Sequence, residues 1–151
     1  MSVEETFTVE IMDPCRTSII SFEPAIENMD FTIGQSNAKT QTIIALDSAH
    51  STYGADINGN DLCGARKIEI SPPDLAFLTF DDSNNMLTLF TTDENHITEV
   101  NAPVVVTVEA KLKEYPKIPA VTQSFNIQIF ADCQNVSQMA IIAFQNPLPL
   151  R

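Results

Sequence analysis

The sequence predicts an all-β domain built as an antiparallel β-sandwich, and three observations predict it. Ile, Thr, Val, Phe and Tyr supply 50 of the 151 residues, while Gly is scarce at 4 and Trp is absent. These β-branched and aromatic side chains fit a pleated, half-buried surface better than a helix. Short runs of alternating apolar and polar residues recur along the chain, separated by Pro-, Asn- and Asp-rich turns, at the spacing of a sandwich. No segment holds a 3.6-residue apolar period between helix caps, so little or no helix is expected.

The strands follow in order. Thr6 to Met12 places Phe7, Val9 and Ile11 on one face. Asp30 to Ile33 repeats the pattern and stops at Gly34, and Thr40 to Leu46, Lys67 to Ile70, Phe77 to Phe80 and Met86 to Phe90 read the same way. Pro103 to Leu112 is the longest, with Val104, Val106, Val108 and Ala110 facing one way, and Ser124 to Phe130 closes the series. Turns are expected at Glu23-Pro24, Asn58-Gly59-Asn60, Pro72-Pro73, Asp81 to Asn85 and Tyr115 to Pro119.

Charge removes one class of function. With 20 acidic residues against 8 basic ones, the net charge of -12 leaves no basic face for phosphate, so a nucleic-acid partner is not expected. No apolar run reaches the roughly eighteen residues of a membrane span. Met1 is not followed by a basic and then an apolar stretch, so no secretory signal is read. A mature extracellular chain or a cut fragment would lack one too.

The most informative feature is an internal echo. Phe7-Thr-Val-Glu-Ile-Met-Asp-Pro-Cys15 matches Phe125-Asn-Ile-Gln-Ile-Phe-Ala-Asp-Cys133 in pattern, with the cysteine in register 118 residues on. That interval is about one sandwich domain, and similarity at a fixed period is the mark of a tandem array. The chain therefore divides into an N-terminal strand or linker (1–13), a sandwich domain (14–132) and a tail strand (133–151). Coincidence between two ordinary strands is the bland alternative. In the tail, Met139 to Phe144 is an apolar strand without an assigned partner, and Ile141, Ile142 and Phe144 would form an exposed edge. It either belongs to its own domain or adds to a neighbour's sheet, with Phe7, Val9 and Ile11 as the matching assembly residues at the other end.

The Asp13-Pro14-Cys15 boundary, Asp61-Leu-Cys63-Gly64, Ile68-Glu-Ile-Ser-Pro72, Leu78-Thr-Phe-Asp-Asp-Ser-Asn-Asn-Met-Leu-Thr88 and the closing Phe-x-Ile-x-Ile strand occur in that order. Together they resemble the cadherin-like or immunoglobulin-like repeats found in tandem in large surface proteins of protists such as ciliates. The resemblance covers roughly residues 6 to 133. It implies an immunoglobulin-like or cadherin-like sandwich with extra strands at both ends, at the cell surface or outside the cell. It also implies a Cys15–Cys63 disulfide within the domain. Cys133, the positional equivalent of Cys15, is then left for an intermolecular bridge or a free thiol. Three reduced thiols in a cytosolic protein remain the alternative.

Calcium is the one cofactor the sequence leaves open. Asp56, Asn58, Asn60 and Asp61 place oxygen side chains at alternate positions on a tight turn, as a hard cation requires. The match to an EF-hand loop fails on the position of the glycine, and Asn-Gly is equally a plain hairpin turn. Asn135-Val-Ser137 is the one glycosylation sequon. No catalytic constellation is expected: His50 and His96 read as solvated loop residues, and there is no nucleophile elbow or phosphate loop. The expected function is a non-catalytic structural or adhesive extracellular module. It would join like units head-to-tail, as in a filament, by strand addition and an intermolecular disulfide. A calcium-dependent glycan- or protein-binding module is the alternative, and a virion sandwich a third.

Overall fold

The computed structural model describes residues 5–54, 61–99 and 102–132. Nine strands dominate: β1 (Ile20–Phe22), β2 (Met29–Thr32), β3 (Lys39–Thr42), β4 (Ala45–Asp47), β5 (Arg66–Ser71), β6 (Leu78–Asp81), β7 (Met86–Leu89), β8 (Val104–Leu112) and β9 (Val121–Phe130). One short helix, α1 (Ser48–Tyr53), and two single 3-10 turns complete the described chain.

The strands form a four-stranded sheet in the order β2-β9-β8-β5, a three-stranded sheet β3-β7-β6, and a two-stranded ladder β1-β4. All pairings are antiparallel except β2 with β9, which run parallel. The chain crosses between the two larger sheets after β2, β5 and β7, and both contribute side chains to one buried cluster, as in a β-sandwich. The expected all-β sandwich is what forms.

Period-two alternation builds the core between the sheets. On β8, Val106, Val108, Ala110 and Leu112 are buried, and on β9 Phe125, Ile127 and Ile129 face the same cluster. Leu87 and Leu89 of β7 and Phe31 of β2 complete its centre. Side chains also fix the register at the margins. The Gln123 amide brackets Ile26, accepting from its N–H at 3.1 Å and donating to its carbonyl at 2.8 Å.

Three differences from expectation have physical causes. Thr40 to Leu46 is not one strand: burial alternates through Ile43 and Ile44, but the pairing partner changes between them, the Ile43 N–H donating to the Asn85 carbonyl at 2.7 Å and the Ile44 carbonyl accepting from the Glu23 N–H at 3.0 Å. The chain passes there from β3 in one sheet to β4 in another. His50 lies on a helix rather than in a loop, because Asp47 caps α1 by accepting from the His50 N–H at 2.7 Å. Thr6 to Met12 forms no strand. Its counterpart, Phe125 to Phe130, lies within β9, paired with β2 on one side and β8 on the other, whereas the N-terminal copy pairs with no strand among the described residues. Phe7 (87% exposed), Val9 and Ile11 (94%) face solvent. The tail strand expected at Met139 to Phe144 lies outside the described residues.

The topology sets the two ends of the domain apart. Asp13 and Cys15 lie beside the β8–β9 loop, where Tyr115 Oη donates toward Asp13 at 3.4 Å. Asp132, the last described residue, lies beside Gly34 in the β2–β3 connection. Between these poles β9 runs ten residues, about 30 Å at roughly 3.3 Å per residue.

Candidate functional site

The N-terminal pole carries the densest polar chemistry. Cys15 and Cys63 form a disulfide, as the family resemblance implied, and both are buried. Asp13 positions the first half-cystine: its carboxylate accepts from the Cys15 N–H at 3.0 Å and pairs with Arg16 at 3.4 Å. Gly64, just after the second, has a φ of +78°, a left-handed turn that glycine adopts without a Cβ penalty.

Beneath the disulfide lies a buried ion pair. Asp47 is fully buried and pairs with the Arg66 guanidinium, whose side chain is 7% exposed. Arg66 also donates from Nε to the Ala45 carbonyl at 3.1 Å and from Nη1 to the Gly64 carbonyl. Asp47 further accepts from the His50 N–H and from Ser18 Oγ at 3.3 Å. Ser18 Oγ in turn accepts from the Ala49 N–H at 3.1 Å. Cys63 Sγ sits 3.4 Å from the same carboxylate; having no proton in the disulfide, it makes a packing contact there. This network ties β1, β4, α1 and β5 to one another.

Of the four candidate calcium ligands, Asp61 is described, and its carboxylate faces cationic or cation-capable groups. One oxygen lies 3.5 Å from Arg66 Nη1 and the other 3.5 Å from His50 Nδ1. The His50 contact lacks hydrogen-bond geometry, and Nδ1 has no partner among the described residues. Asp56, Asn58 and Asn60 lie outside the described residues, and among those described no group of three or more acidic, His or Cys side chains is placed to hold a metal. Cys133, Asn135, Ile141, Ile142 and Phe144 also lie outside them. His96 sits at the C-terminal pole, where Nδ1 is 2.7 Å from Thr91 Oγ1 and the ring meets Phe77 edge-on at 5.2 Å. Its setting is half-buried and packed rather than a solvated loop.

The surface of the N-terminal pole is lysine-rich. Two shallow grooves flank the Tyr115–Ile118 stretch: one of about 500 Å³ reaches Asp13, Arg16 and Lys117, and one of about 300 Å³ is lined by Lys67, Lys111 and Lys113. Lys67 and Lys111 both pair with Glu69, at 2.7 and 2.8 Å. The hydrogen bond from Lys111, followed by that from Lys67, lowers the Glu69 carboxyl from 4.5 to about 2. Tyr115 is pushed up, first by desolvation and then by the negative charge of Asp13.

Sequence reasoning found the two bonded cysteines but missed Asp47, Arg66 and the lysine grouping. Asp47 follows an apolar strand and precedes Ser48, an N-cap signal at β4's end. Its pairing with Arg66 is a tertiary event without a sequence signature. No protein-family model matches the chain and no curated protein matches its sequence. No helix among the described residues is long and apolar enough to cross a membrane.

Proposed function

We propose that the chain is a non-catalytic structural or adhesive module of the extracellular surface that joins like units end to end. The observation carrying this reading is the echo of the closing strand, set against where the two copies lie. Phe125, Ile127 and Ile129 are buried in β9, whereas the matching Phe7, Val9 and Ile11 precede the domain and face solvent. An apolar alternating face that pairs with no strand among the described residues suits the closing strand of a preceding unit.

A second echo supports the same order. Ser18-Ile-Ile-Ser-Phe22 reappears as Ala140-Ile-Ile-Ala-Phe144, beyond Cys133 as the first copy lies beyond Cys15. In the first copy Ile20 and Phe22 are buried and Ile19 is 73% exposed. Entry and exit at opposite poles suit an array in which each unit touches only its neighbours. The disulfide suits an oxidising compartment. The resemblance to tandem surface repeats points the same way.

Electrophoresis of the native material, with and without reductant, tests the reading. Species larger than a single unit are expected, either as one long chain or as a ladder that collapses on reduction. One band at the size of a single unit on both gels, with a monomer in sedimentation, would remove it.

A further inference from the structure

The 3-10 turn Pro14–Thr17 and α1 leave a groove of about 580 Å³ between them. Met12, Pro14 and Ala49 line it with apolar surface, and Arg16, Thr52 and Tyr53 complete its walls. Neither wall is loose. The turn starts at Asp13, whose carboxylate accepts from the Cys15 N–H and from Tyr115 Oη, and Cys15 is bonded to Cys63. The helix is capped by the buried Asp47 and held to Ser18 Oγ through the Ala49 N–H at 3.1 Å. Met12 and Tyr53 are both exposed at the rim. Methionine and aromatic side chains are the types enriched where proteins meet.

The echo identifies what reaches that groove. In the alignment that places Cys15 on Cys133, Met12 is the counterpart of Phe130, the last residue of β9. The chain therefore lays the end of one closing-strand copy along the groove of the domain that follows. Only Asp13 and Pro14 separate Met12 from Cys15, a reach of roughly 11 Å when fully extended. A unit whose closing strand ends at Met12 cannot stand clear of the groove.

A second copy of this domain has an apolar surface at the matching place. Phe130 is exposed at the end of β9. Ile97 is exposed too, and it precedes Thr98, whose N–H donates to the Ile129 carbonyl at 3.0 Å, so both side chains stand at the C-terminal pole. We infer that the groove between Pro14–Thr17 and α1 seats the C-terminal pole of a second copy of this domain, with Phe130 in the place of Met12 and Ile97 beside it against Tyr53. The inference rests on the end-to-end reading above and names the contact at each joint. The contact is small, so free chains bind through it weakly. Within an array the short joint holds the two surfaces together at high effective concentration.

Photo-crosslinking of the full chain, with the native disulfide, tests the contact in trans. The photoreactive residue p-benzoylphenylalanine replaces Tyr53, and the protein is irradiated at about 1 mM, where a weak contact is populated. Mixing isotopically labelled with unlabelled chains separates links between chains from links within one. Links between chains are expected at Phe130 and Ile97. Ile97→Ser/Phe130→Ser in the partner chain should lower their yield roughly tenfold, as loss of anchoring side chains does. Thr52→Arg in the crosslinking chain fills the groove from an exposed helix position and should do the same without touching the C-terminal pole. Native near-UV dichroism of each variant confirms folding. Links confined to residues 5–12 of the same chain overturn the inference, because the groove is then closed by the chain's own N-terminal segment. No link between chains, links at another surface, or yields indifferent to both variants overturn it too, and leave the end-to-end reading to the electrophoresis.

Discussion

Asp47 and Arg66 form an ion pair in the interior, 19 residues apart in sequence, with the carboxylate wholly removed from solvent. Losing either member costs the other its closest partner in the interior; Arg66 would keep the half-exposed Asp61 at 3.5 Å, whereas the wholly buried Asp47 would lose the guanidinium.

Arg66→Met should destabilise the domain by about 3–5 kcal/mol, since it takes the guanidinium from a buried carboxylate; Asp47→Ala should cost less through the ion, because Arg66 keeps Asp61. Asp47→Ala also removes the cap of α1, worth about 1 kcal/mol more. The double variant should cost clearly less than the sum of the two. Urea unfolding of all four proteins checks this, and strict additivity would show that the pair is not coupled.

The disulfide closes a span of 48 residues between Cys15 and Cys63. Reducing it, or replacing both cysteines with alanine, should lower stability by about 3–4 kcal/mol through the entropy restored to the unfolded chain. Thermal unfolding with and without reductant measures the change. Peptide mapping should recover residues 15 and 63 in one disulfide-linked fragment. A Cys63–Cys133 link instead would contradict the pairing.

What the sequence disclosed, and what it hid, divides along a physical line. Alternation alone located β8 and β9, because Val106, Val108, Ile127 and Ile129 sit two residues apart on strands with one face in the core. It misplaced Thr6 to Met12, because alternation states what a strand would bury and not whether the segment finds a partner strand. It overlooked β1, whose three residues Ile20–Phe22 give too short a period. The Asp47–Arg66 pair and the lysine pole were illegible, because chain crossings bring those residues together and no local pattern does.

Glu69 provides a readout of charge on the β5–β8 ladder. The hydrogen bonds from Lys111 and then Lys67 favour its ionised form, which lowers its carboxyl from 4.5 to about 2. A depressed folded value means the contribution is present above the unfolded value and is lost as pH falls through the folded one. Stability should therefore decline between roughly pH 4.5 and 2. The Glu69 carboxyl carbon, followed by NMR, should titrate near the bottom of that window. In Lys111→Met it should titrate closer to the ordinary carboxylate range. An unchanged midpoint in the variant would disprove the assigned cause.

Gly34 marks where the chain turns from β2 toward β3 at the C-terminal pole. Its φ is +95°, and a Cβ there would lie 2.8 Å from the Asp132 carboxylate. Gly34→Ala therefore meets backbone strain and an occupied space together, and should cost about 1–3 kcal/mol. Asp132→Ala in the same background should recover the steric part and leave the strain. Chemical denaturation separates the two. A Gly34→Ala protein as stable as the parent would show that the turn has another conformation open to it.

The two copies of the closing-strand pattern offer the sharpest contrast. Ile129 and Ile11 occupy equivalent places in the echo, yet Ile129 is 0% exposed and Ile11 is 94% exposed. Ile129→Ala removes buried methyl groups and leaves a cavity, so it should cost about 2–5 kcal/mol. Ile11→Ala removes nothing the isolated domain buries and should change its stability by less than about 0.5 kcal/mol. The comparison also bears on assembly. If the segment at Phe7, Val9 and Ile11 closes the sheet of a preceding unit, Ile11→Ala should weaken the larger species seen on native material while the single domain unfolds as before. Equal and large losses from both substitutions would place Ile11 inside its own domain's core, and the N-terminal segment would then be a strand of that domain.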